Sequence, residues 1–116
     1  MLIKLEDLKD RALDFATARA EEVRAHLAPG RWTDRVIDGR FFPSRSGDQT
    51  ILIIQRNGIS LKAPKPGEST WEATIFVDAY DDYIVQLGDS AIQAALRCHV
   101  FRWLGDRIEI PEQILN

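Results

Sequence analysis

Four arginines, Arg31, Arg40, Arg45 and Arg56, are interleaved with Trp32, Phe41 and Phe42 around the pair Pro43-Ser44. A guanidinium is a planar, permanently charged fork that grips carboxylate or phosphate through paired hydrogen bonds and stacks on aromatic rings. Arginines alternating with rings are therefore what an anionic, stackable ligand requires, such as a nucleotide or a short single-stranded segment. With Trp71 added, the candidate ligand-binding residues are Arg40, Phe42, Ser44, Arg45, Arg56 and Trp71. A pI near 5.3 argues against general nucleic-acid binding, which needs a broad basic field, whereas a small pocket needs only local charge.

The other reactive side chains do not assemble into a signature. His26 and His99 have no second His or Cys at ligand spacing, and no His-Glu-x-x-His, Cys-x-x-Cys, Gly-x-Ser-x-Gly or phosphate-loop pattern occurs, so no metal, cofactor or catalytic set is expected. His26 stands where a cation favours the carbonyl end of a helix, and Cys98 reads as a small core residue. Asp78, Asp81 and Asp82 with Tyr80 and Tyr83 read as a solvated loop. Two competing readings follow from the same residues. One is a small enzyme for a phosphorylated metabolite, with Asp48 or Glu72 as base and His99 at a pocket edge. The other is an oligomerisation module that uses Trp71, Phe76 and Tyr80 as a self-association face.

The elements that must position these residues follow from length and pattern. The chain has 116 residues, 45% of them hydrophobic and 28% charged, which suits one soluble domain over 1–116. A single cysteine excludes a disulfide framework, no apolar run approaches a membrane span, and a cytoplasmic setting is expected. Residues 31–65 carry seven Lys/Arg against three Asp, and residues 66–116 three Arg against nine acids, so the two parts are expected to neutralise one another.

Leu5, Leu8, Ala12, Phe15, Ala16, Ala20, Val23 and Leu27 recur at helical steps and predict a helix from about 5 to 27, with Glu21 and Glu22 away from its apolar stripe. Ser90 followed by Gln93 is a capping box, and Gly105 closes a mostly buried helix over about 90–104. Between them glycines recur at turn spacing. Trp71 to Val77 alternates like a half-buried strand, Ile59 to Ala63 pairs with it, and a third strand is expected within Arg31 to Phe41. Residues 50–55 are ambiguous, because Asn57-Gly58 signals a hairpin while Ser46-Gly47-Asp48 is helix-start chemistry. The expected fold class is α+β, a small antiparallel sheet of about three strands packed with an N-terminal and a C-terminal helix.

Several runs in order, Ala12 to Glu21, Phe42-Pro43-Ser44, Leu52 to Ser60, Trp71-Glu72-Ala73, and Ala91 to Val100 followed by Gly105 to Glu112, resemble the small phage and prophage proteins of the NinX type. The resemblance implies a helix-sheet-helix sandwich with no established enzymatic activity, and tilts residues 50–55 toward a short helix or turn. Where family members commonly carry Thr-Asp-Trp after Pro-Ser, this chain has Arg45, Ser46 and Gly47. With this context the leading expectation is a non-catalytic phage accessory protein. Its partner would be a bacterial host protein or a nucleotide-like signalling molecule, as for a counter-defence protein acting on a defence protein or its signal.

Overall fold

The computed structural model describes residues 1–115. The first helix begins later than its apolar spacing suggests. Leu5–Asp7 form one 3-10 turn, Leu8 and Lys9 are extended, and helix α1 spans Asp10–Arg24. A step of three serves a 3-10 turn as well as an α-helix, so spacing alone does not separate them. Long-range bonds decide: the Leu5 amide donates to Asp106 O at 2.8 Å, and Arg97 donates to Glu6 O and Leu8 O at 3.0 Å, taking carbonyls that a helix would use internally.

α1 also ends early. His26 adopts a left-handed φ of 55°, with its amide on Val23 O and the Leu27 amide on Glu22 O, which closes the helix before Pro29-Gly30. The exposed His26 thus serves the helix end through its backbone conformation.

The strand expected within Arg31 to Phe41 is a helix instead, α2 over Thr33–Ile37. The buried Glu22 carboxylate accepts the amides of Gly30, Trp32 and Thr33 at 3.0, 2.8 and 2.8 Å, and the Thr33 hydroxyl at 3.1 Å. This gathers the orphan amides at the helix start from eleven residues away, a cap that no local motif announces. A 3-10 turn at Pro43–Arg45 leads to α3, Gly47–Asn57. Ser46 caps it by accepting the Gln49 amide at 3.2 Å, and Gly58 ends it in the left-handed region, φ 63° and ψ 41°. Asn57-Gly58 therefore terminates a helix where it would otherwise have turned a hairpin.

Strands β2 (Ser60–Lys62), β3 (Trp71–Val77) and β4 (Asp82–Gly88) form an antiparallel sheet in that order, with Leu61 opposite Ala73 and Ile75 opposite Ile84. The acidic stretch read as loop turns over residues 78–81, and β4 takes its last two residues, Asp82 and Tyr83. Ala73, Ile75, Val77 and Ile84 face the core, where they meet α4, Ala91–Leu104. Ser90 accepts the Gln93 amide at 3.1 Å, and Gln93 Oε1 accepts the Asp89 amide, as the capping signal anticipated.

α4 contacts the sheet on one side and α1 on the other, so the two long helices do not lie side by side on the sheet. This middle position is why α4 is apolar nearly all round. Its close approach fixes Gly88: a Cβ there would stand 2.5 Å from Ala94 N. A second ribbon pairs β1 (Leu2–Lys4) with β5 (Arg107–Glu109), Ile3 opposite Ile108, and a short α5 (Glu112–Leu115) follows. Among the described residues no helix is long and apolar enough to cross a membrane.

Candidate functional site

α2, the segment after it and α3 bring the arginine and aromatic residues to the side of α1. Trp32 and Phe41 pack edge to face with centroids 5.2 Å apart, and the Arg35 guanidinium lies 4.2 Å from the Trp32 centroid. Together with Arg40, Arg56 and Glu21 they bound a pocket of about 230 Å³, completed by Gln49, Leu52 and Ile53. That volume lies below the roughly 300 Å³ at which sites for whole drug-sized ligands begin.

Its floor is Glu21, which the sequence pattern had left on the polar side of α1 and the structure buries completely. Oε2 accepts Arg24 Nη2 at 3.0 Å and Nε at 3.3 Å, and Oε1 accepts Arg56 Nη2 at 3.0 Å. His99 Nε2 stands 3.1 Å from the same Oε1, but the oxygen lies off the N–H direction, and both ring nitrogens are buried without a hydrogen bond among the described residues. Burial works to raise the Glu21 pKa, and His99, Arg24 and Arg56 together outweigh it and hold the carboxyl down at about 2. Burial pushes His99 the other way, below its ordinary value, against the pull of Glu21 and with the help of the two guanidiniums.

Four guanidiniums, Arg24, Arg35, Arg40 and Arg56, line this pocket or bond to its lining, and the carboxylates bonded to them are Glu21 and Asp38. Two positive charges are left over. Among the described residues no ion pair joins a Lys or Arg of 31–65 to an acid of 66–116, and the two parts meet in charge only where Lys62 stands opposite Glu72 across β2 and β3. The compensating carboxylates come from α1 and from Asp38.

The expected ligand residues separate around the Phe41 ring. Arg40 and Arg56 stand at the pocket just described. Phe42 and Arg45 belong to a neighbouring depression of about 280 Å³ on the other side of Phe41, where the Arg45 guanidinium lies 5.2 Å from the Phe42 centroid. Ser44 is occupied within the fold, its amide and hydroxyl donating to Asp14 at 2.7 and 3.0 Å. Burial raises the Asp14 pKa despite those bonds and the nearby Arg45.

Trp71 is not brought to the arginines: it starts β3 opposite Gly88, packed against the core, and bounds neither depression. Asp48 and Glu72 likewise stand apart from His99, the former exposed in the first turn of α3 and the latter beside Lys62 and Lys65; the carboxylate at His99 is Glu21. Sequence reasoning missed Glu21 as a site residue, and its spacing of three from Arg24 was the only local sign. Among the described residues no group of three or more His, Cys, Asp or Glu could hold a metal ion.

A larger cleft of about 550 Å³ lies between Phe15, Leu104, Ile108 and Pro111, with Arg19 and Arg107 in its wall. Arg19 is spent on Glu22 at 3.2 Å, and the wall also carries Glu109, so this cleft lacks the charge excess of the smaller pocket.

A family model described as Bacteriophage P22, NinX matches residues 4–102 of the chain, a span that includes every residue bounding the arginine pocket. No curated protein matches the chain.

Proposed function

Because the chain belongs to the bacteriophage P22 NinX family, we propose that it is a non-catalytic phage accessory protein of the bacterial cytosol that binds a host component. At the arginine pocket that component is a small, planar anion of the nucleotide-signal class, so that the protein acts by sequestering a host signal or by engaging the host protein that displays one. The observation that carries this reading is the gathering of Arg35, Arg40 and Arg56 with Trp32 and Phe41 around one cavity of about 230 Å³. The rings supply stacking surfaces and the guanidiniums supply bidentate donors, and the surplus of two positive charges favours an anion over a neutral ring. A pocket of this size takes a nucleobase or a phosphate with part of its sugar, leaving the remainder of a larger nucleotide in solvent or on a partner.

Calorimetric titration with mononucleotides, cyclic nucleotides and inorganic phosphate tests it. Saturable heat is expected with at least one nucleotide, reduced at least tenfold in affinity by Arg56→Ala or Arg35→Ala and unchanged by Arg45→Ala, which alters only the neighbouring depression. Absence of heat with every nucleotide removes the small-ligand reading.

A further inference from the structure

The buried oxygen at the floor of the arginine pocket is claimed from two sides. Glu21 Oε1 accepts a hydrogen bond from Arg56 Nη2 of α3 at 3.0 Å, and His99 Nε2 of α4 stands 3.1 Å from it without the direction of a hydrogen bond. Arg24 keeps to the other oxygen, Oε2, with both of its bonds. His99 is wholly enclosed, and neither ring nitrogen has a partner among the described residues. Arg56 differs, because its side chain is 43% exposed and lines the pocket. Of the two neighbours of Oε1, the ring is fixed inside the core and the guanidinium is free to turn outward.

An anion seated in the pocket competes with Glu21 for Arg56. We propose that anion binding there is coupled to the uptake of one proton by the Glu21–His99 pair, an inference that rests on the reading of this pocket as an anion site. As Arg56 is drawn toward the ligand, the carboxylate is left buried with Arg24 as its remaining cation. A proton from solvent, shared between Oε1 and Nε2, then replaces the lost charge and gives the ring nitrogen a partner. One positive charge leaves and one arrives. With Arg56 on Glu21, burial and the guanidiniums of Arg24 and Arg56 hold His99 below its ordinary value against the pull of Glu21, so the pair has a proton to gain. The other charges near α4 are placed elsewhere. Asp14 and Glu22 of α1 are bonded to Ser44 and to the amides that open α2, and Asp48 of α3 is exposed. Lys62, Glu72, Asp82, Glu6, Asp7 and Arg45, from the strands and 3-10 turns packed on α4, lie outside the core. On α4 itself Arg97 is bonded to backbone carbonyls and Arg102 lies over Trp103.

Calorimetry with the cyclic and 5′-monophosphates of adenosine and guanosine tests the coupling at pH 7.5, where these phosphates have already lost their protons. In buffers of small and large ionisation enthalpy the apparent heat is expected to differ in the sense of proton uptake, up to one proton per anion. Affinity is expected to fall about two- to tenfold per pH unit from pH 7 to 8. His99→Gln is expected to bind without either effect. Where that variant does not fold, imidazole NMR of Arg56→Gln, a change at an exposed side chain, serves in its place, and the His99 ring is expected to titrate at higher pH than in the native chain. Equal heats in both buffers, uptake that persists in full in His99→Gln, or an unmoved His99 titration in Arg56→Gln overturns the coupling and leaves the anion site standing. No heat with any of the four nucleotides overturns both.

Discussion

Replacing Glu21 by glutamine removes the one negative charge on which Arg24, Arg56 and the ring of His99 converge, while keeping the size of the side chain. In the fold the carboxyl is held at about 2 against an ordinary value of 4.5. At 1.36 kcal/mol per pH unit that gap is worth about 3 kcal/mol of stability at neutral pH. Breaking a buried ion pair costs roughly 3–5 kcal/mol, and the lower end applies here because both guanidiniums are partly exposed and can turn to water.

The sign of the pH dependence follows from the depressed value. The contribution is complete above about pH 4.5 and is lost as the pH falls toward 2. His99, held below its ordinary value by burial, adds a further loss as the pH drops below 6.5, and that loss is larger in the glutamine variant, which lacks the carboxylate that pulls His99 upward. Urea unfolding followed by tryptophan fluorescence should therefore place Glu21→Gln about 3 kcal/mol below the native chain at pH 7, with the gap narrowing as Glu21 is protonated toward pH 2. The substitution also strips the pocket of its buried anion, so nucleotide affinity should rise while stability falls. A variant as stable as the native chain at pH 7, or a gap undiminished at pH 2, contradicts the account of Glu21 as a charged keystone. A weakened affinity in a folded variant means that Glu21 matters to the pocket mainly by holding Arg56 in place.

Two further expectations concern the packing around α4. Gly88→Ala sets a methyl group 2.5 Å from Ala94 N and 3.0 Å from its Cα, so the sheet and helix must part. Overpacking of this kind costs roughly 1–3 kcal/mol and should be read as a melting temperature several degrees lower. Gly58→Ala meets nothing within 4 Å and pays only for its left-handed backbone, about 1 kcal/mol, which makes it the control for conformational strain without a clash. Burial pushes the Cys98 thiol up to about 12, so iodoacetamide at pH 8 should modify it only as fast as the protein unfolds. Fast labelling of the native protein would show that α4 opens locally.

Much of the architecture was legible because it rests on local rules. Ser90, Gln93 and Gly105 mark α4 through neighbours within one turn, and the alternation from Trp71 to Val77 states β3 within seven residues. Ser46 likewise announces α3, and Gly58 ends it, although Asn57-Gly58 belongs equally to a hairpin until the packing of Ile53 into the core chooses the helix. The order of those runs also sufficed to point to the phage family that the chain belongs to.

What the amino-acid sequence determined by itself was therefore the class of fold, the two long helices, the paired strands β2 and β3, and a run of arginines interleaved with rings. Tertiary structure decided which of them meet. Glu22 turns residues 33–37 into a helix by accepting amides eight to eleven residues away, and Arg97 unwinds the start of the first helix from 89 and 91 residues away. Glu21 reads as a surface residue on its own helix, and only α3 and α4 closing over it supply Arg56 and His99. Local hydrogen bonds cost little chain entropy and are written in spacing; a buried charge finds its partners only when distant elements have already packed, because leaving it unpaired there is too costly.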